Sequence, residues 1–258
     1  MNSLPAMNSL RAMNSLPAMN SLSVIVPALD EEARIQECLR SVLAARGSWP
    51  IELLVVDGGS KDRTVEQAAA LPEVKIVPSA RGRARQQNAG AAAATGDVLL
   101  FLHADCALQP GALAALEQVI AAHPRSPGGA FRMEFDGPGA ALRFVEAVSH
   151  ARLRLGGIAC GDQAIWVRRA AFLELGGFPD QRLMEDVSFS RALSRRGGLA
   201  IVEDPPVLTS ARRFSADGVL RRTVSNWAIS AAWALGVNIA TLKRFYPDRE
   251  VPAPDPAA

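Results

Sequence analysis

Acidic side chains follow apolar runs at several points of the sequence, and carboxylates at such points can do several kinds of chemistry. Asp57 and Asp105 each stand at or just beyond the end of an apolar run, and Glu185 and Asp186 follow a later glycine-rich turn. A carboxylate can accept hydrogen bonds from a nucleotide, hold a divalent cation, or take a proton from a reacting hydroxyl group. These four residues are therefore the first candidates for a functional site.

The elements that must position these residues alternate between short apolar runs and segments of helical periodicity. This alternation predicts an α/β fold with a Rossmann-like, mainly parallel sheet flanked by helices and followed by a C-terminal helical segment. The predicted strands of the first half are 23–26, 51–56, 74–77 and 98–102, all buried on both faces, and the predicted helices are 30–45, 64–70 and 83–94. Ligands of such sheets bind at the carboxyl ends of the strands, where Asp57 and Asp105 stand.

The second half of the sequence shows the same alternation in a less regular form. Its predicted helices are 110–122, 139–155 and 184–195, and its predicted strands are 129–135 and 163–167. No low-complexity linker separates the halves, which favours one continuous domain. A last apolar helix is predicted over 226–242. It is short for a membrane span, and two alternatives stay open: a packed C-terminal helix, or an interfacial helix flanked by basic residues.

The composition excludes several classes of protein. Hydrophobic residues make up 49 % and charged residues 21 % of the 258, as in ordinary globular proteins, and the net charge of +2 does not indicate a nucleic-acid partner. Three widely spaced cysteines without a C-x-x-C pair argue against a disulfide framework or a zinc knuckle, so we expect a reducing, cytoplasmic location. An interfacial helix would add peripheral contact with the inner membrane face.

The first 22 residues repeat the unit MNSLPA, with MNSLRA once, and contain no apolar h-region. They are predicted to form a disordered leader and are neither a secretory signal nor a membrane span. The patterns GxGxxG and GxxxxGK[ST] do not follow any predicted strand, which counts against a dinucleotide dehydrogenase and a P-loop enzyme.

Five segments, in order along the chain, resemble the family-2 glycosyltransferases of GT-A fold. They are SVIVPALDEE, VVDGGSKDRT, RGRARQQNAG, TGDVLLFLHAD and LMEDVSFSRAL, and the resemblance spans residues 23–215. The stretches GDQAIWVRR, GGFPD and TSARRF resemble a bacterial branch, the selenodomain-associated transferases. The resemblance implies a nucleotide-binding half over 23–105, an acceptor half over 106–215, and a C-terminal helix and tail over 216–258.

The activity that the resemblance implies is inverting transfer of a sugar from a nucleotide-diphospho-sugar, with UDP as the expected nucleotide. The acceptor is a hydroxyl group of a glycan, a lipid or a small molecule. A sugar-phosphate nucleotidylyltransferase is one alternative, although PALDEE lacks the glycine-rich basic loop which that class needs after its first strand. A non-catalytic nucleotide-binding relative is another, because His103 stands where the family has the first acid of its D-x-D pattern.

The resemblance also assigns residues to the donor. They are Pro27, Glu32, Asp57, Gly58, Arg81, Arg85 and Asp105, with Arg212 and Arg213 assigned to the diphosphate. Asp57 could instead cap its own turn, and Glu32 could stabilise a helix start. Because arginines 81, 83 and 85 would fan apart on a helix, one at most is expected to touch the donor.

A divalent metal, Mn or Mg, is implied as the cofactor. Asp105 is the expected ligand, because a cation held by one or two carboxylates can bridge a diphosphate and neutralise the leaving group. If His103 is a second ligand, manganese becomes the better fit, since imidazole prefers the softer ion. The alternative is that His103 packs or hydrogen-bonds at the strand end.

The general base implied by the resemblance is Asp186, with Glu185 as the alternative. Inverting transfer needs a carboxylate that takes the proton of the acceptor hydroxyl group. The structural alternative is that both acids only stabilise a helix N-terminus. Asp162 and Gln163, in the stretch GDQ, are assigned to acceptor binding.

Overall fold

The computed structural model of the protein describes residues 21–212, 214 and 218–237. Its strands are β1 Leu22–Ala28, β2 Ile51–Asp57, β3 Val74–Pro78, β4 Val98–Phe101, β5 Cys106–Leu108, β6 Gly128–Phe135, β7 Ile165–Arg168 and β8 Leu199–Thr209. Its helices are α1 Ile35–Ala44, α2 Thr64–Ala69, α3 Arg83–Ala93, α4 Ala112–Ala122, α5 Ala140–Gly156, α6 Arg169–Leu175, α7 Glu185–Ser194 and α8 Val219–Ala234, with a 3₁₀ turn at Gly161–Gln163. The predicted leader up to residue 20 and the end of the last predicted helix, from residue 238, lie outside the described residues.

The eight strands form one sheet in the order β3-β2-β1-β4-β7-β6-β8-β5. Strands β3, β2, β1 and β4 are parallel to one another, and β7 joins β4 in the antiparallel sense. The carboxyl ends of β1, β2 and β4 therefore meet at one edge of the sheet. The predicted α/β class with a mainly parallel sheet is confirmed.

The core has two layers because side chains of a strand alternate between the faces of the sheet. Val24 of β1 packs with Ile35 and Leu39 of α1 on one face. Ile25, the next residue, packs on the other face in the layer covered by α3. There Gly90 lets α3 approach closely, since an added Cβ would overlap Ile25. The close packing of α3 holds its N-terminus beside the strand ends.

Two predictions for the first half are wrong. The first helix begins at Ile35, not at residue 30. Backbone N–H groups before Ile35 bond to side chains that follow β2 instead of forming helix hydrogen bonds. The Glu31 N–H, for example, donates to Thr64 Oγ1 at 2.8 Å. Asp30 there has a φ of 54°. Strand β3 is not buried on both faces; it is the edge of the sheet and is half-exposed.

In the second half, strands β5 and β8 and helix α6 were not predicted. β5 has only three residues and α6 only seven, which is too short for a periodic pattern. β8 contains Pro205 and Pro206, which normally argue against a strand, and its register with β6 shifts between Phe131 and Met133. Strand β7 begins at Ile165 rather than at residue 163, because residues 161–163 form the 3₁₀ turn.

The last helix also differs from its prediction of 226–242. α8 begins at Val219 and ends at Ala234, because Gly236, with a φ of 86°, terminates it. The sequence did not predict its first turn, because Arg221 and Arg222 interrupt the apolar pattern. Within the described part of the chain, no helix has both the length and the apolar character required to cross a membrane.

Candidate active site

The ends of β1 and β2 are joined to the start of α3 by one buried side chain. Gln86 Nε2 donates hydrogen bonds to the carbonyl oxygens of Ala28, at 2.7 Å, and Val56, at 2.9 Å. Gly58 donates its N–H to Ala28 O at 3.0 Å, and a side chain at this position would overlap Gln86. Sequence reasoning missed Gln86; its only signal was a polar residue on the inward side of the third helix.

Asp57 lies at the end of β2 and is half-buried. Its Oδ2 accepts the N–H of Gly59 at 3.0 Å and its Oδ1 accepts that of Ser60, also at 3.0 Å. The carboxylate therefore caps its own turn, as the structural alternative stated, and donor contact stays a prediction. Pro27, in the neighbouring strand, is also half-buried at this edge.

The loops after β1 and β2 bind each other through their acidic residues. Glu32 Oε2 accepts the N–H of Arg63 at 3.0 Å, and the Glu32 N–H donates to Asp62 Oδ2 at 3.0 Å. Asp30 Oδ1 accepts the N–H of Lys61 at 2.7 Å. Glu32 is exposed and precedes the helix, so it does not stabilise a helix start. It connects the two loops.

Beyond β4, Asp105 lies next to a cation from the C-terminal half of the chain. The Arg212 Nη2 atom lies 3.6 Å from Asp105 Oδ2 and 2.7 and 2.8 Å from the two carboxylate oxygens of Glu31. All three side chains are mostly buried. The structure thus brings the predicted diphosphate residue to the predicted metal ligand. Arg213 lies outside the described residues.

The residues around Asp105 allow a test of the implied metal. Among the residues that the structure describes, no group of three histidine, cysteine or acidic side chains is arranged to hold an ion. A small hard cation can be held by one carboxylate together with substrate phosphates and water. Asp105 supplies one such carboxylate at the strand end, and the donor set fits a cation that is bound together with a diphosphate.

A second group of side chains meets around Gly161. The N–H of Gly161 donates to Asp186 Oδ2 at 2.7 Å, and the N–H of Val187 donates to Oδ1 of the same carboxylate, also at 2.7 Å. The imidazole of His103 packs against Gly161, where an added Cβ would overlap it. The end of β4, the 3₁₀ turn and the start of α7 are therefore in contact.

Asp162, within the 3₁₀ turn, has an unusual carboxylate. Its Oδ1 is buried and accepts no hydrogen bond from any residue that the structure describes. Burial raises the pKa of Asp162 to about 6; Arg152 opposes this shift, and the charges of Asp186 and Asp105 add to it. Three acids from three separate elements therefore lie within electrostatic reach of one another.

Gln163 lies beside Asp162 but is fully buried. Its Oε1 accepts hydrogen bonds from the Cys160 N–H and from Arg152 Nη2, both at 3.1 Å. The side chain holds the 3₁₀ turn together and does not face solvent. A direct contact with the acceptor would need an accessible group, and this role of Gln163 stays a prediction.

Glu185 and Asp186 are adjacent but have different surroundings. The Glu185 side chain is 3 % exposed, and its Oε1 lies 3.1 Å from Arg83 Nη1. Burial raises the pKa of Glu185, Arg83 opposes the shift, and the neighbouring charge of Asp186 adds to it. Asp186 is half-buried and is the more accessible of the two acids.

The three arginines at the start of α3 do fan apart. Arg83 points inward to Glu185, although it was left out of the predicted donor residues. Arg85 pairs with Asp180 on the surface, at 3.0 Å, and Arg81 is exposed in front of the helix. The ion pair of Arg83 could not be read from spacing, because its partner is 102 residues away.

Comparison with known proteins places these residues in context. Residues 23–169 match the family model described as glycosyl transferase family 2. Glucosyl-3-phosphoglycerate synthase of Mycobacterium tuberculosis is 35 % identical over 94 residues, covering 32 % of this chain and 28 % of that protein. Glycosyltransferase AglE of Haloferax volcanii is 36 % identical over 93 residues, covering 33 % and 30 %. The matched region is thus less than a third of each of these relatives.

Solved structures with a similar fold include S. aureus TarS. Residues 1–349 of TarS in complex with UDP-GlcNAc match with a TM-score of 0.59 and 21 % identity, over 74 % of this chain and 58 % of that one. The complex of TarS 1–349 with UDP matches with a TM-score of 0.60 and 19 % identity, over 87 % and 69 %. At these identities the likeness concerns the fold.

Proposed function

The chain belongs to glycosyl transferase family 2 and has the GT-A fold, and from this premise we propose that it is an inverting glycosyltransferase. It moves a sugar from a UDP-linked donor to a hydroxyl group of a glycan, a lipid or a small molecule. The observation that supports this most is the hydrogen bond from the Gly161 N–H to Asp186, which holds this acid beside the 3₁₀ turn that carries Asp162.

The donor binds at the carboxyl ends of β1 and β2. Pro27, Asp57 and Gly58 line this edge and receive the nucleoside, for which the Asp57 carboxylate can accept hydrogen bonds from ribose or base. The TarS structures, which contain UDP-GlcNAc or UDP, support UDP as the nucleotide. Glu32 shapes this edge through the loop that it connects.

The diphosphate lies at the end of β4, where the Arg212 guanidinium lies 3.6 Å from Asp105. A guanidinium can bind phosphate oxygens in pairs, and it is already held at this place by Glu31. Arg81 and Arg85 reach the same side of the sheet from the start of α3, and Arg85 would have to leave Asp180 to do so.

Asp105 would hold a divalent cation that binds together with the diphosphate. When bound, it neutralises negative charge on the departing nucleoside diphosphate. His103 packs on Gly161, which supports a structural role for its imidazole. Asp105 is therefore the ligand that we propose from the protein. If His103 also binds the cation, manganese is the better fit.

The general base is Asp186. Its carboxylate takes the proton of the acceptor hydroxyl group while that oxygen forms a bond to the anomeric carbon. The bond from this carbon to the phosphate oxygen breaks on the opposite side, and the nucleoside diphosphate leaves with the electron pair. The two backbone N–H groups that bond to Asp186 fix its orientation. Glu185 is less suited, because Arg83 occupies its carboxylate.

The acceptor lies on the side of the 3₁₀ turn. Asp162 is half-buried at this turn, so its carboxylate can accept a hydrogen bond from an acceptor hydroxyl group. Gln163 contributes by holding the turn. In this arrangement residues 23–105 serve mainly the nucleotide and residues 106–215 mainly the acceptor.

Two measurements on the purified protein test the proposal. The first is the melting temperature with UDP, GDP, CDP and dTDP, each with and without manganese, because a ligand of the folded state raises it. We expect the largest increase with UDP and manganese. The second is release of UDP from UDP-sugars, by the wild type and by Asp186→Asn. Failure of every nucleotide to raise the melting temperature, or equal turnover of the two proteins, would contradict the proposal.

A further inference from the structure

Helix α8 presents an apolar stripe to solvent. Val224, Trp227, Ala228, Ala231 and Leu235 follow one another at intervals of three, one, three and four residues, so they lie on one side of the helix. All five are exposed: the fractions are 55 % for Val224, 46 % for Trp227 and 85 % for Leu235. We call these five residues the α8 stripe.

The opposite side of α8 attaches the helix to the rest of the protein. Thr223 and Ile229 are buried, and Trp233 lies under the guanidinium of Arg191 at 4.8 Å. The α8 stripe is therefore distinct from the side by which the helix packs on the protein. It is a second apolar face on a helix whose first apolar face is already packed.

Helix α5 widens this apolar surface. Phe144 is 59 % exposed, and its ring lies edge-on to the indole of Trp227 with the centroids 6.3 Å apart. An exposed phenylalanine next to an exposed tryptophan is unusual on a protein surface that faces only water.

The charges on the two helices are of one sign at the surface. Helix α8 has Arg221 and Arg222 in its first turn and no acidic residue. The one acid of α5 is Glu146, which is buried and accepts the N–H of Phe135 at 2.6 Å. Arg221 is exposed and lies next to the α8 stripe, whereas Arg222 lies on the packed side of the helix with Ile229. The α8 stripe is therefore bordered by positive charge at one end and matches a negatively charged partner.

We propose that the α8 stripe and Phe144 dock the protein on an anionic lipid bilayer, with α8 lying in the plane of the headgroups. Aromatic side chains favour this interface, and the exposed Arg221 at one end of the helix meets lipid phosphates. The 16 residues of α8 are fewer than the roughly 20 that a membrane span needs. The helix thus lies on the membrane and does not cross it.

Vesicle sedimentation with the full chain tests this proposal. The probes are vesicles of phosphatidylcholine alone and vesicles of equal parts phosphatidylcholine and phosphatidylglycerol. We expect the wild type to sediment with the anionic vesicles, and less at high salt because ions screen the arginines. The variant Val224→Ser, Trp227→Ser, Leu235→Ser should lose at least about tenfold in partition coefficient, since it loses most of the apolar area.

Leu173→Ser is the matched control, because Leu173 is 66 % exposed on α6, away from the α8 stripe. It should bind vesicles as the wild type does. Both variants should keep the wild-type melting temperature, since they replace exposed side chains, and its increase with UDP. This readout separates the proposal from the proposed enzymatic function, which vesicle binding does not require.

Four results would overturn the proposal. The wild type could fail to bind either kind of vesicle, or the triple variant could bind as well as the wild type. Sedimentation velocity could show a wild-type dimer that the triple variant dissociates, which would assign the stripe to a second copy of the chain. A chain ending at residue 237 could bind while the full chain does not, which would assign the stripe to the protein's own C-terminal residues.

Discussion

Arg83 Nη1 lies 3.1 Å from Glu185 Oε1, so an ion pair joins the first turn of α3 to the first turn of α7. The pair gives the two adjacent acids of α7 different tasks. Glu185 is buried and occupied by the arginine, whereas Asp186 is turned to Gly161 and remains half-buried at the site. A cation therefore holds the first acid, which agrees with the proposal that its neighbour takes the proton of the acceptor.

Asp186→Asn should reduce kcat by about 100-fold or more with little change in the affinity for UDP. An amide cannot take the proton of the acceptor, but it keeps the size of the side chain and can still accept the N–H of Gly161. Turnover and UDP titrations measure the two effects. Asp180→Asn is the control, since Asp180 is exposed and pairs with Arg85 just before α7. A loss of turnover in the control as large as that in Asp186→Asn would contradict the assignment.

Arg83→Gln should lower the free energy of unfolding by roughly 1–2 kcal/mol at pH 8, because it leaves Glu185 buried without its cation. The loss should shrink toward pH 5. Since burial raises the pKa of Glu185, that side chain takes up a proton as the pH falls, and a neutral acid needs no cation. Urea unfolding at both pH values measures the difference.

The double variant Arg83→Gln, Glu185→Gln should recover part of this loss, because neither side chain is then charged. Arg85→Gln, which breaks the exposed pair with Asp180, should lower the free energy of unfolding less than Arg83→Gln does at pH 8. If Arg83→Gln and Arg85→Gln lower the free energy of unfolding equally, the pair of Arg83 with Glu185 stabilises the protein no more than an exposed pair does.

Asp162→Asn should stabilise the protein at pH 8 and have little effect near pH 4, in the absence of nucleotide and divalent cation. The folded pKa of about 6 exceeds the ordinary value of 3.8, so the folded state binds the proton more tightly than the unfolded state does. The free energy of unfolding of the wild type therefore falls as the pH rises from about 4 to about 6. Above pH 6 the whole loss is present. The asparagine removes that cost.

The expected gain is at most about 3 kcal/mol, since one pKa unit corresponds to about 1.4 kcal/mol. Melting temperatures of both proteins between pH 4 and pH 8 check the prediction. Leu173→Ser, which replaces an exposed side chain without a charge, serves as the control, and its melting temperatures should follow the wild-type pH profile. An asparagine variant that is less stable than the wild type at pH 8 would show that Asp162 is ionised and favourably paired.

The strands of the first half could be predicted closely because they are apolar on both faces and turn residues bound them. Strand β8 could not, because its two prolines and its shifted register with β6 break the local pattern. The same distinction applies to the site. Asp105 and Asp57 follow from their place at strand ends, whereas the bond between Gly161 and Asp186 joins residues 25 apart, and that of Gln86 to Ala28 joins residues 58 apart. Tertiary packing decides such contacts.

Asp105→Asn should abolish the part of the UDP-induced increase in melting temperature that depends on manganese. The amide is a neutral and weaker ligand for a divalent cation, so the ion and the diphosphate no longer support each other's binding. The increase with UDP in the presence of a chelator should stay the same. If manganese still enhances UDP binding in this variant, Asp105 is not the ligand.

Arg212→Gln should weaken the binding of UDP by about 10-fold or more, because a charge-assisted hydrogen bond contributes about 1.5–3 kcal/mol. Calorimetric titration with UDP, with and without manganese, measures the loss. The control is Arg34→Gln: Arg34 Nη2 donates to Ser210 Oγ at 3.1 Å and lies 3.6 Å from Asp136, so it is a neighbouring cation that pairs with a different carboxylate. Equal loss of UDP affinity in both variants would indicate a general effect of positive charge. Only a larger loss of affinity in Arg212→Gln assigns the diphosphate to Arg212.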